Sequence, residues 1–281
     1  MKNRVLTSVA IVVVLLALVI FSQYIFYPIA ISLIAAMAMF EILRVMGANK
    51  NPALVIPAYL FALAFPVGAY FVEPGRPLGF ILVLAACIFV YLIWLMGVSV
   101  FSKGKIPFSR IGEIFAAVTY VSVSFTSLSL IRYLDADFGM YTVFLVFLIS
   151  WACDVFAFLV GSLFGRHKLI PEVSPKKTVE GAIGGIIFSA ISCVAYGFVL
   201  DQFVEGMKVK YLILLLFGAI LSVVSQLGDL VASLIKREYG VKDYGKIFPG
   251  HGGIMDRFDS VLAVSTIILI LTIVFPPFRV L

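Results

Sequence analysis

The densest polar cluster of the chain is Ser233-Leu-Ile-Lys236-Arg237, then Lys242-Asp243-Tyr244-Gly245, then His251-Gly252-Gly253-Ile254-Met255-Asp256-Arg257-Phe258-Asp259. Glycines at 250, 252 and 253 let the backbone come close to a ligand and turn its N–H groups toward phosphate oxygens. Asp256 and Asp259 are three residues apart, neighbours on one helical face. Such a carboxylate pair is a natural oxygen site for Mg²⁺, which commonly takes one or two carboxylates and completes its shell with water and substrate phosphates. Lys236, Arg237, Lys242 and Arg257 add fixed positive charge. His251 lies between glycines, where binding a phosphate or shaping the loop is favoured over acid–base work. The chemistry these residues suit is that of a polyphosphate, and no nucleophile–base dyad stands out among them.

A second carboxylate, Asp229 in Gln226-Leu-Gly228-Asp229, falls inside an apolar run. A carboxylate left unpaired in hydrocarbon is costly, so it should face the interior of a helix bundle and have a cation or polar partner. Ser233 and Arg237 follow at spacings of four and eight, which aligns them with Asp229 on one stripe. Asp154, in Trp151-Ala-Cys153-Asp154, is the other deep carboxylate; its face continues through Phe158 and Gly161. A packed polar contact or a transporter's ion site are the alternatives for both. In Ser174-Pro175-Lys176-Lys177-Thr178-Val179-Glu180-Gly181, Ser174 is expected to cap a helix whose first residue is Pro175, leaving N–H groups and two lysines for an anion. Taken alone, the lysine pair would be read as topology bias.

These residues must be positioned by membrane helices. Of 281 residues 63% are hydrophobic and 13% charged, a composition far too apolar for an ordinary soluble domain. Runs near the length needed to cross the roughly 30 Å hydrocarbon layer recur from end to end. Hydropathy and breakers predict helices at 5–26, 29–46, 53–72, 78–101, 111–132, 140–163, 179–200, 211–235 and 257–275. The expected class is therefore all-α, a polytopic membrane protein of about nine transmembrane helices. Lys2 and Arg4 precede the first apolar run, but no small-residue cleavage site follows it, so it is read as a retained helix.

With nine helices, 16 of the 21 lysines and arginines gather in alternate loops and 5 in the others. By the positive-inside rule this puts the amino terminus in the cytoplasm and the carboxyl terminus outside. The two long basic loops, 165–178 and 236–253, then share the cytoplasmic side. The net charge of +6 speaks for topology and anionic partners, and no nucleic-acid-binding motif is present. Cys87, Cys153 and Cys193 lie in apolar stretches without metal-site spacing and are read as packing residues. Glu41, Glu113 and Asp243 are read as interfacial or structural. Residues 1–135 are expected to form scaffold, dimer surface or a lipid-facing wall, and 136–281 the catalytic region.

The run from Ser233 through Asp259 resembles the signature of the bacterial phosphatidate cytidylyltransferases, or CDP-diacylglycerol synthases, across all 27 positions. The Ser-Pro-Lys-Lys-Thr-x-Glu-Gly and Gln-x-Gly-Asp segments are similar to that family too. The first half agrees only in helix pattern. The resemblance implies an inner-membrane enzyme working on the cytoplasmic side that takes CTP and phosphatidic acid to CDP-diacylglycerol and pyrophosphate, in a homodimer, with membrane lipid around it and no nucleic acid. It implies Mg²⁺, with Asp229 and Asp256 as metal-site residues and Asp259 and Asp154 as further candidates. Lys236, Arg237, His251 and Arg257 are the catalytic candidates; Lys176, Lys177, Thr178, Ser233, Lys242, Gly252 and Gly253 are the substrate-binding ones.

Two rivals come from other chemistry. A CTP-dependent lipid kinase would transfer the γ-phosphoryl group and release CDP. An ion-coupled secondary transporter would use Asp154 and Asp229 near the midplane, in two related halves that the sequence does not display. A CDP-alcohol phosphotransferase is disfavoured, because its Asp-Gly-x-x-Ala-Arg run is absent.

Overall fold

The computed structural model describes residues 13–247 and 252–280. The described residues are mainly helical, with four short strands among them. Following the helical residues 13–20 (α1) come α2 (Phe26–Val45), α3 (Pro52–Gly68), α4 (Leu78–Phe101), α5 (Phe108–Leu134), α6 (Gly139–Phe164), α7 (Val179–Phe203), α8 (Tyr211–Glu238) and α9 (Met255–Val274). Among the described residues eight helices are long and apolar enough to cross a membrane. His251, Pro249, Gly250 and the start of the first expected helix lie outside the described residues.

The helices group into two compact units, 1–139 with 241–257, and 140–240 with 258–281. In the first, α5 is central: 72% of an apolar 18-residue stretch of it is buried, against 17% for the corresponding stretch of α4, whose Phe89, Val90, Trp94 and Phe101 are exposed. The sequence explains the contrast. Buried Ser122, Ser124, Thr126, Ser127 and Ser129 give α5 small side chains that let neighbouring helices approach, while α4 is large and apolar all round, as a lipid-facing helix should be. Buried hydroxyls also tie the unit: Tyr27 Oη donates to the Leu128 carbonyl at 3.1 Å and Ser32 Oγ to that of Leu63 at 2.9 Å.

The second unit is assembled by close helix contacts. A methyl group at Gly218 would run into the Ala190 backbone of α7, and one at Gly228 into the Asp259 carbonyl and Ala263 of α9. Small residues at such crossings take the place of the hydrophobic drive that lipid cannot supply. Two antiparallel ribbons close the ends. In one, β1 (Lys168–Ile170) pairs with β2 (Ser174–Thr178). In the other, β3 (Met207–Val209) pairs with β4 (Phe278–Val280), setting Lys208 opposite Arg279. The segment after α9 therefore returns to the end of the unit where α8 begins.

One local expectation fails. Ser174 and Pro175 do not open a helix; they lie in β2, and the cap is Thr178, whose hydroxyl accepts from the Gly181 N–H at 3.1 Å. Pairing with Lys168–Ile170 holds Ser174–Thr178 extended and delays the helix by one turn.

Candidate active site

In the second unit a cavity of about 300 Å³ is lined by Asp154 of α6, Lys176, Lys177 and Thr178 of β2, and Gln226 and Asp229 of α8. Each wall has a local cause. The β1–β2 ribbon swings the two lysines over the cavity instead of winding them into α7. Glu180 fastens the start of that ribbon, accepting from the backbone N–H groups of Arg166 and His167 and lying 2.6 Å from His167 Nδ1. Gln226 Nε2 donates to the Ala182 carbonyl at 3.2 Å, locking α8 to α7 one turn before Asp229.

Asp229 is half-buried and bonded on both oxygens. Lys177 Nζ lies 2.7 Å from Oδ2, and Ser233 Oγ donates to Oδ1 at 3.4 Å, as the four-residue spacing anticipates. The contact of α8 with α9 at Gly228 brings in Asp259, which lies within electrostatic reach of Asp229, Asp154 and Lys236. Ser260 Oγ donates to Asp154 Oδ2 at 3.4 Å. Three carboxylates from three helices thus converge with Lys177 and the buried Lys236. Among the described residues, no group of three or more His, Cys, Asp or Glu side chains is placed to hold a metal ion by itself. Arg237 sits exposed on the last turn of α8, away from the cavity lining.

The signature loop belongs to the first unit. Buried Asp256, in the first turn of α9, accepts with Oδ2 from the backbone N–H of Tyr244 at 2.8 Å and of Gly253 at 2.9 Å. Gly252 has φ +83°, and a Cβ there would press on the Asp256 carboxylate, so the turn and the close approach both demand glycine. Lys242 and Arg257 are exposed.

Sequence reasoning took Glu41 as interfacial or structural without placing it at this loop. Glu41 of α2 is fully buried and accepts with Oε2 from the Met255 N–H at 2.9 Å. One turn further, Arg44 donates to the Tyr244 carbonyl at 2.6 Å. The only available signal was an acid and a base three residues apart at the end of an otherwise apolar helix.

Comparison with known proteins identifies the family. The profile of the cytidylyltransferase family matches residues 2–275. A protein of Bacillus subtilis (strain 168) named phosphatidate cytidylyltransferase is 37% identical over 277 residues, 98% of each chain. One of that name from Staphylococcus epidermidis (strain ATCC 12228 / FDA PCI 1200) is 35% identical over 275 residues, 97% of this chain and 99% of its own. Another from Staphylococcus haemolyticus (strain JCSC1435) reaches 41% over 179 residues, 64% of this chain and 65% of its own. Matched by that profile over residues 2–275 and almost end to end by such relatives, this chain of long apolar helices belongs to the cytidylyltransferase family.

Proposed function

We propose that this chain is a phosphatidate cytidylyltransferase, transferring the cytidylyl group of CTP to phosphatidic acid. The observation that carries this reading is the near end-to-end similarity to relatives of that name, which includes the residues of the cavity and the loop. An oxygen of the phosphatidate phosphate forms a bond to the α-phosphorus of CTP. The bond from that phosphorus to the bridging oxygen breaks, and pyrophosphate leaves with the electron pair.

The nucleophile needs no base from the protein. A phosphate monoester has its second pKa near 6 and is largely a dianion at neutral pH. The barrier is repulsion between two anions and charge growth on the leaving group, both of which fixed cations reduce while aligning the reactants. Lys176 and Lys177 on β2 and Lys236 on α8 are the cations of the second unit that serve this role. Lys242, Arg257, His251 and the N–H groups of Gly252 and Gly253 serve it from the signature loop. Arg237 is the remaining candidate, as a contact for the lipid phosphate.

Mg²⁺ fits the donor set of the second unit, which is hard oxygen from Asp229, Asp259 and Asp154, with too few carboxylates in direct reach for a complete shell. Such a site suits an ion that keeps waters and uses substrate phosphates as ligands. When bound, the ion would screen the triphosphate and stabilise the departing pyrophosphate. Asp256 is assigned to the metal by the family resemblance, although its Oδ2 already serves two backbone N–H groups.

The same reading includes nine transmembrane helices, a cytoplasmic amino terminus, an outer carboxyl terminus, and a site at the cytoplasmic face of the inner membrane. There a soluble nucleotide and a bilayer-anchored lipid can meet. A homodimer is part of the proposal. The test is to incubate purified protein with CTP, phosphatidic acid and Mg²⁺ and identify the products. CDP-diacylglycerol and pyrophosphate are expected; release of CDP with a phosphorylated lipid would establish the kinase instead.

A further inference from the structure

We propose that Glu41 is a positioning residue for the transfer reaction: its carboxylate, reaching out of α2, holds together the two described ends of the signature loop, Tyr244–Gly245 and Gly253–Met255. The inference rests on the proposed function, because it assigns to that loop a part in turnover. Glu41 is 1% exposed in a helix end otherwise made of Met39, Phe40, Ile42 and Leu43. A carboxylate there is costly unless the protein gives it hydrogen bonds.

Those bonds and contacts come from both ends of the loop. Oε2 accepts from the Met255 N–H at 2.9 Å, and a Cβ built at either Gly245 or Gly253 would collide with the Glu41 carboxylate. The two glycines are therefore matched to this side chain. The same loop ends are bridged a second time by Asp256, through Tyr244 and Gly253, and Arg44 holds the Tyr244 carbonyl. Tyr244 is itself fully buried. Two carboxylates from two helices thus clamp the loop that carries Lys242 and Lys246 near one end and Arg257 just beyond the other. Among the described residues Glu41 Oε1 is buried without a hydrogen-bond partner, so there this oxygen contributes shape to the clamp. A displacement of about 1 Å in groups that position a substrate costs on the order of 100-fold in rate, which sets the scale expected when the clamp is lost.

The experiment pairs Glu41→Ala, Glu41→Gln, Glu41→Asp and Gly253→Ala in the full-length protein in detergent. Glu41→Ala is expected to lower kcat at least tenfold with KM for CTP changed less than threefold. Tryptic cleavage after Lys242 and Lys246 should rise at least fivefold. Glu41→Gln, which keeps the acceptor for Met255, should stay within threefold of wild type in both. If Glu41→Ala does not fold, the pair Gly253→Ala and Glu41→Asp decides, because the nearest atoms to a methyl at Gly253 all belong to Glu41. The added methyl alone should impair turnover, and the shorter acid should restore at least fivefold of that loss in the double variant. Wild-type kcat and tryptic resistance in Glu41→Ala, or simple multiplication of the two single effects in the double variant, overturns the proposal. Tryptic protection does not depend on what reaction is catalysed, so a wild-type protein without CTP-dependent transfer would defeat the functional reading and leave the clamp still measurable.

Discussion

Asp229 and Asp256 look alike in the sequence, each an acid within three residues of a glycine and in or at an apolar helix, yet the structure uses them differently. Asp256 is buried and gives one oxygen to two backbone N–H groups, so its charge is spent on the shape of a loop. Asp229 is open to a cavity and is balanced by the side chains of Lys177 and Ser233, which can move. A carboxylate bonded to backbone is committed to architecture. One bonded to a lysine at a cavity wall can exchange that partner for another cation.

Removing each carboxylate should separate these roles. Asp229→Ala is expected to lower turnover by about a thousandfold or more, the scale of losing a principal electrostatic element of a site, with melting in detergent nearly unchanged. Equal melting losses in Asp229→Ala and Asp256→Ala would erase the distinction. Asp256→Ala leaves two buried N–H groups without their acceptor, at about 1–3 kcal/mol each, so its melting temperature should fall clearly as activity is lost.

Lys177→Ala should come next, lowering turnover by about a hundredfold, within the range of removing one preorganised electrostatic group. Its effect on stability should stay below about 1 kcal/mol, because an ion pair whose side chains are 26% and 27% exposed at a cavity wall is screened by solvent and contributes little; a large fall in melting temperature would recast Lys177 as a structural tie. The smallest effect is expected at the cap. Thr178→Ala removes the acceptor for Gly181 and should cost about 1 kcal/mol, read in thermal melting, with activity reduced only as far as the β2–α7 junction loosens.

How much of this could be read in advance follows from the range of the forces involved. Helix α4 was expected at 78–101 and spans Leu78–Phe101, and α8 begins at Tyr211 as anticipated, because the length of an apolar run and its flanking breakers are local information. Asp229 with Ser233 was legible for the same reason, being one helical turn apart. The β1–β2 ribbon was not, since Ser174-Pro175 carries a sound local cap signal and only pairing with Lys168–Ile170 overrides it. Glu41 was harder still. Nothing within α2 indicates that a loop some two hundred residues later will close around it. The return of residues 241–257 to the first unit is likewise a tertiary fact with no local mark.

The most direct test of the central claim is a single-turnover reaction of purified wild type and Asp229→Ala with phosphatidic acid, Mg²⁺ and CTP labelled in separate samples at the α- or γ-phosphate. Label from the α position should appear in lipid with the wild type, γ label should appear only in pyrophosphate, and the variant should transfer neither at a comparable rate. Lipid labelled from the γ position, or undiminished α transfer by Asp229→Ala, would contradict it.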